Sequence, residues 1–473
     1  MLGCASQRAA DMFRPMTKAS VRTLSLAAMS SLVAIAVACG GDDDPPPRPP
    51  PPPDMEAVLA RHQVEWDAGE RATAITEGRA ALERQECNRC HTIDDVEPAG
   101  RSDHCVSCHV WIKGLEPGHR HYDMLSERYG EHILKRYQKN IVHYRAVPNL
   151  TGIARRLDPA FIDHFIAEPW DLRPMLDETM VRTHLSDADR RAIVRYFAAV
   201  AGVADPGASP TMPAAEGDRP SDDDVAAGRE MFLARCATCH TFGNLDTGKT
   251  IEDLERGGLP ARLAPNLRFT RQRMHRDVVV AWIEEPSLLS ADTLMPDMQL
   301  THAEAEQVAD FLLFSDPPLG DTPAPDLALP EVLDRPVGWE EVKAKVLGRI
   351  CVHCHMNEHE RDLGPGNEGG YGWPGSRLAM RTYETLVRGA VDADTGEAYS
   401  VLEPREGHVL PPILEAMTAR RTEELRDRVP PFADHERPEF PAVDAHTLLG
   451  MPMGLPHIPN DEVAVLRTWI AQG

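Results

Sequence analysis

The chain has 473 residues, with 50 Lys and Arg against 74 Asp and Glu, and a formal net charge of −24 at pH 7. This excess of negative charge argues against nucleic acid and anionic lipid headgroups as electrostatic partners. A content of 42% hydrophobic residues is too high for a disordered chain, and the length is more than one ordinary domain requires.

In chain order, Arg8, Arg14, Lys18 and Arg22 precede an apolar run from Leu24 to Ala38. This pattern predicts a secretory signal over residues 1–38, the apolar run being short for a membrane span. The run ends Ala36-Val37-Ala38-Cys39, which resembles a bacterial lipobox, and the resemblance implies cleavage before Cys39 and lipidation of that cysteine. Residues 39–53 then read as an anchor and linker. The proline tract from Pro45 to Pro53 has no means of building a core and is expected as extended polyproline II.

Four Cys-x-x-Cys-His strings follow: Cys87-Cys90-His91, Cys105-Cys108-His109, Cys236-Cys239-His240 and Cys351-Cys354-His355. Each is the attachment signature of a c-type haem. Two cysteines three apart on a helix share a face, so both sulfurs can bond to the vinyl groups of one porphyrin. The histidine that follows can then give its imidazole to the iron. Zinc or disulfide pairs are the rival reading, but they leave unexplained the histidine after every pair. Eight cysteines bind haem on this reading, Cys39 carries lipid and Cys4 leaves with the signal, so no thiol remains for a disulfide.

Two Pro-rich stretches, 204–221 and 316–336, divide the remainder into modules of 54–203, 222–315 and 337–473. In the middle module a helix from about Asp223 carries Gly228 and Phe232 toward Cys236. Pro265-Asn266-Leu267, a helix near Arg276–Glu285 and Met295-Pro296 come next, and a closing helix starts at Thr301 with Glu304 as a capping box. This order resembles a class I cytochrome c domain. The resemblance implies that Met295 is the sixth iron ligand and that the Pro265 carbonyl accepts a hydrogen bond from His240. The first module repeats the pattern with Gly78, Pro148-Asn149-Leu150, Met180 and a closing helix from Ser186. By the same resemblance Pro148 supports His91 and Met180 is its sixth ligand, Met175 and Met298 being the respective alternatives in the two modules. The interval from Met180 to Tyr196 equals that from Met295 to Phe311. The first module carries an extra loop that contains Cys105–His109, read as a second haem inserted into a class I domain.

The third module ends in Met451-Pro452-Met453 and a helix bearing Trp469 and Ile470, and resembles planctomycete-type cytochrome c domains. That resemblance and the Met-Pro turn favour Met451 as sixth ligand, whereas the interval to Trp469 favours Met453. Residues 403–443 have no place in this reading. For the inserted haem, His119, His121, Met124, His132 and His143 are the possible sixth ligands. His143 is preferred because it stands just before Pro148, and a second histidine there would give the lowest potential of the four.

The expected fold is all-α, with three tandem cytochrome c domains holding four covalent haem c groups. The expected function is single-electron transfer by an exported cytochrome lipoprotein, in the periplasm or cell envelope, tethered to a bacterial membrane only by its lipid. Its redox partner proteins would carry a basic docking patch, and no nucleic acid is expected. The alternative is a haem oxidoreductase, a peroxidase or sulfur-compound dehydrogenase, with an open site at the inserted haem.

Overall fold

The computed structural model describes residues 54–99, 104–140, 147–176, 180–183, 185–211, 217, 219–316, 328–355, 377–392, 395–427 and 449–473. The chain divides into two units, Met1–Pro51 and Pro52–Gly473, and every described residue belongs to the second. The architecture is all-α, and the sheet among the described residues is one antiparallel pair, β1 (Ala390–Val391) with β2 (Ala398–Tyr399).

The first hydrophobic core is framed by two helices distant in sequence. After α1 (Met55–Ala60), α2 (Ala68–Arg84) starts at Asp67, whose carboxylate accepts from the Gly69 and Glu70 N–H groups. Helices α3 (Cys105–Lys113), α4 (Arg120–Tyr129) and α5 (Glu131–Asn140) form the inserted segment. Their small separate core holds Ile112, Leu115, Tyr122, Leu125 and Leu134. Pro159 opens α6 (Pro159–Ala167), where a missing N–H costs nothing. Ser186 caps α7 (Asp187–Ala201), which ends on Gly202 at φ 73°. Helix α7 crosses α2 at Gly78: a Cβ there would strike Tyr196 and the Ala192 carbonyl.

The second core repeats this crossing. Helix α8 (Asp222–Met231), capped by Ser221, widens into a π-helical turn over Phe232–Cys236. Short helices α9 (Ile251–Arg256), α10 (Gly258–Leu263) and α11 (Thr270–Arg273) follow, then α12 (Arg276–Glu284) and α13 (Pro286–Leu289). Helix α14 (His302–Phe314) begins with the expected capping box between Thr301 and Glu304. It meets α8 at Gly228, where a Cβ would strike the Gln307 backbone and touch Phe311. Phe232, Phe242 and Phe311 pack at tilted angles around that contact, with ring centroids 4.8–5.9 Å apart.

The third core gathers α15 (Trp339–Val342), a π-helical run Lys343–Cys351, α16 (Val352–Cys354), α17 (Tyr383–Val387), α18 (Pro412–Asp427) and α19 (Asn460–Ala471). Tyr383 packs edge-on against Trp339 and Trp469, which are tilted to each other beside it. The stretch expected to be a linker joins this core early. Leu329 and Leu333 pack on it, and the Leu333 N–H donates to Thr468 Oγ1 at 2.7 Å.

The first two cores are not beads on a string. Val58 of α1 packs on Val278 and Ala281 of α12, and Phe269 enters the first core, 6.1 Å from Trp170. The His62 and His275 rings stack at 4.2 Å, while His62 Nε2 lies 2.9 Å from Asp277 and His275 Nε2 lies 3.6 Å from Asp158. Among the described residues no helix is long and apolar enough to cross a membrane.

The Gly228 crossing is testable by size. Gly228→Ala should destabilise the folded protein by about 1–3 kcal/mol, because backbone rather than a flexible tip must move. Gly338→Ala, where a Cβ meets open space, should stay within about 0.5 kcal/mol. Thermal unfolding of the two variants checks the contrast.

Candidate functional site

The four motifs do not share one backbone conformation. Cys87–Arg89 is a single 3-10 turn, Cys236 ends the π-helical turn, and Cys351 ends the longer π-helical run. Cys105, Cys108 and His109 all lie on one regular α-helix, α3, with His109 buried, while Cys354 ends the short helix α16. One motif of the four is therefore carried whole on a single regular α-helix. At the other three, the common bond runs from the histidine N–H to the carbonyl of the first cysteine, at 2.8–2.9 Å. That bond keeps each histidine one turn beyond its cysteine.

The ring of the histidine is fixed from a distance. His91 Nδ1 bonds the Pro148 carbonyl at 2.8 Å, and His240 Nδ1 bonds the Pro265 carbonyl at 2.9 Å. A carbonyl only accepts, so Nδ1 carries the proton and the Nε2 lone pair is left to bind an electrophile. A backbone clasp holds each turn in place. The Leu150 N–H donates to the Thr92 carbonyl at 2.8 Å, and the Leu267 N–H donates to the Thr241 carbonyl at 2.9 Å. Burial pulls both imidazoles below the ordinary histidine pKa, while the proline carbonyl acts in the opposite direction. Both rings are thus kept neutral, the state a metal ligand requires.

At His355 the sequence offers no proline at this place. Instead the Met380 N–H donates to the His355 carbonyl at 2.8 Å, setting Leu378 where Pro148 and Pro265 stand in the other turns. The Leu378 backbone raises the His355 pKa against a larger lowering by burial. Nδ1 itself makes no hydrogen bond of good geometry, so this clasp is looser than the other two.

The thiols of the first cysteines are set for packing rather than for ionisation. Burial pushes Cys87 and Cys236 up to about 11 and Cys351 to about 12, and in the last two Cys239 and Cys354 add to the shift.

The methionines are placed unequally. Met295 is half-buried, and its sulfur accepts from Trp282 Nε1 at 3.0 Å. Met180 is also half-buried, on an irregular stretch before α7. The Met451-Pro452-Met453 turn is positioned by α18, which lies in the segment that had no place in the sequence reading. The Met451 N–H donates to the Ala416 carbonyl at 3.0 Å, and the Gly450 N–H donates to Glu423 Oε1 at 2.7 Å. Arg420, fully buried, donates from Nε to the Leu455 carbonyl at 2.6 Å. Helix α18 thus grips the turn on both sides. A hydrophobic pattern is the signal that could have found α18, but Arg420, Arg421, Thr422 and Glu423 at buried positions conceal it.

In the inserted segment, His119 Nδ1 caps α4 by accepting from the His121 N–H at 3.3 Å, and His132 and Met124 are exposed. His121 is half-buried, with its ring 5.4 Å from that of Trp111 on α3 and with a buried Nδ1 that has no hydrogen-bond partner. His143 and Cys39 lie outside the described residues. His104 caps α3 through Nδ1 and is close enough to His91 for its charge to lower that pKa.

No protein-family model matches the chain, and no curated protein and no solved structure matches it.

Trp282→Phe keeps a ring in place and removes only the donor to Met295. Unfolding free energy should fall by about 0.5–1.5 kcal/mol. The Met295 ε-methyl resonance should move, and an unmoved resonance would show that the contact is not made.

Proposed function

We propose that the chain is a tetrahaem c-type cytochrome that transfers single electrons between redox partners. The observation that carries this reading is the repeated clasp: a motif histidine, its Nδ1 occupied by a proline carbonyl, and two cysteines one turn back. Covalent haem c uses that donor set, thioether bonds from both cysteines and a neutral imidazole on iron. The residues at Cys87–His91, Cys236–His240 and Cys351–His355 fit the group, and Cys105–His109 supplies the same residue types on α3. Haem supplies reversible one-electron chemistry when bound. The chain's own residues bury it, hold the proximal imidazole neutral and offer the opposite ligand.

On this reading the all-α fold is three tandem cytochrome c domains, of class I type in the first two modules and planctomycete type in the third. Met295, Met180 and Met451 are the sixth ligands of the haems at His240, His91 and His355. For the haem at His109, His143 remains the preferred candidate, and of the others His121 is favoured because its side chain lies against α3. Six-coordinate iron suits electron transfer more than substrate turnover. Export, a lipid on Cys39 and partners bearing a basic patch belong to the same proposal.

Three measurements test it. A pyridine haemochrome assay against protein mass should give four haems per chain, one for each motif. Two or fewer, with zinc present by elemental analysis, would overturn the reading. Met295→Ala should lower one midpoint potential and remove one methionine-to-iron band from the red end of the ferric spectrum. An unchanged spectrum would move that ligand to Met298. For the anchor, Cys39→Ala should release the protein from the membrane with its haem intact.

A further inference from the structure

A cluster of positive charge lies where the first two cores meet, in a chain that is strongly acidic overall. Arg156 follows a 3-10 turn of the first module, Arg173 lies in the loop after α6, and Arg273 ends α11 of the second module. All three are half-buried. Two of them cross the boundary. The Arg273 guanidinium sits over Phe161 of the first core, 5.7 Å from the ring centre. The Arg156 guanidinium sits over Trp282 of α12 at 5.9 Å, and Trp282 is the donor to Met295.

The same backbone that holds the motif histidines holds these arginines. Arg156 Nη2 donates to the Asn149 carbonyl at 3.0 Å, one residue after Pro148. The Asn266 N–H, one residue after Pro265, donates to the Leu172 carbonyl at 2.8 Å, beside Arg173. The Asp158 N–H donates to the Arg273 carbonyl at 2.8 Å. The arginine cluster is therefore tied to both proline turns at once.

Burial, rather than a carboxylate partner, has the largest effect on each of the three. Burial lowers Arg156, Arg173 and Arg273 alike, and like charge from Arg156 adds to it at Arg173. At Arg273, burial, Arg173 and Arg156 together bring the pKa down to about 10. Asp292 and Asp171 act in the opposite direction on Arg156 and Arg173, but among the described residues no carboxylate acts on Arg273 and its buried Nε has no hydrogen-bond partner. The charge of Arg173 reaches His91, and that of Arg273 reaches His240. Three half-buried guanidinium groups that repel one another are costly unless anions join them, and the guanidinium fork matches a carboxylate.

We propose that Arg156, Arg173 and Arg273 form one clamp shared between the two modules, which takes the propionate carboxylates of the haems attached at His91 and His240. The proposal rests on the haem reading and adds to it a direct electrostatic link between two of the haems. Positive charge beside a propionate favours the reduced iron, so the clamp holds both potentials up together.

The test uses the full-length holoprotein and a spectroelectrochemical titration. Arg273→Gln should retain four haems and shift the reduced-to-oxidised ratio about tenfold toward oxidised at two haems, about 59 mV each. One of the two should be the haem that Met295→Ala identifies, and the remaining two haems should not move. Arg273→Lys should restore most of the shift, which a purely structural role would not do. Arg173→Gln is the second variant should Arg273→Gln fail to fold, with the same paired shift expected. Four haems with all potentials unchanged, or a lowered melting temperature alone, would overturn the clamp and leave the cytochrome reading intact. A wild type whose two potentials differ between phosphate and chloride buffers of equal ionic strength would assign the site to free phosphate and overturn the propionate assignment. Protein carrying no covalent haem would overturn both.

Discussion

The hydrogen bond from a motif histidine to a carbonyl distant in sequence is the constraint around which the rest of this molecule is arranged. At His91 and His240 it selects the Nδ1 tautomer, points Nε2 away from the backbone and stitches the motif to a turn 57 and 25 residues downstream. The Leu150 and Leu267 clasps make that turn part of the core rather than a free loop. The opening and closing helices cross at a glycine, Gly78 or Gly228, and this lets the motif approach the closing helix without a Cβ between them. The third module meets the same need with less, a leucine in place of the proline and a clasp that runs through His355 itself. Its methionine turn is held instead by the buried Arg420 and Glu423 of α18.

Much of this was legible in the residues. The Cys-x-x-Cys-His strings, the Pro-Asn-Leu turns and the Thr301–Glu304 box are local signals with a fixed geometry, and the structure places Pro148 and Pro265 against the histidines they were expected to support. The helix starts at Ser186 and Ser221 were readable for the same reason, since a capping hydroxyl acts within three residues of itself.

What was not legible depends on contacts between distant parts of the chain. Leu378 carries no mark in the sequence, because any residue's carbonyl can do what a proline's does. Helix α18 escaped because its buried face includes arginine and glutamate, which read as solvated until their partners are known. Composition placed a linker between the first two modules but could not show that α1 packs on α12 or that His62 stacks on His275. Arg156, Arg173 and Arg273 are scattered singletons in the sequence, and only the fold makes them a cluster.

The proposed function makes one demand, that each motif should carry a covalently bound porphyrin. Proteolysis of the purified protein, followed by mass spectrometry of the fragments, tests that demand motif by motif. The account predicts one haem-bearing peptide for each of Cys87–His91, Cys105–His109, Cys236–His240 and Cys351–His355. Motif peptides recovered from the purified protein without the porphyrin mass would contradict it.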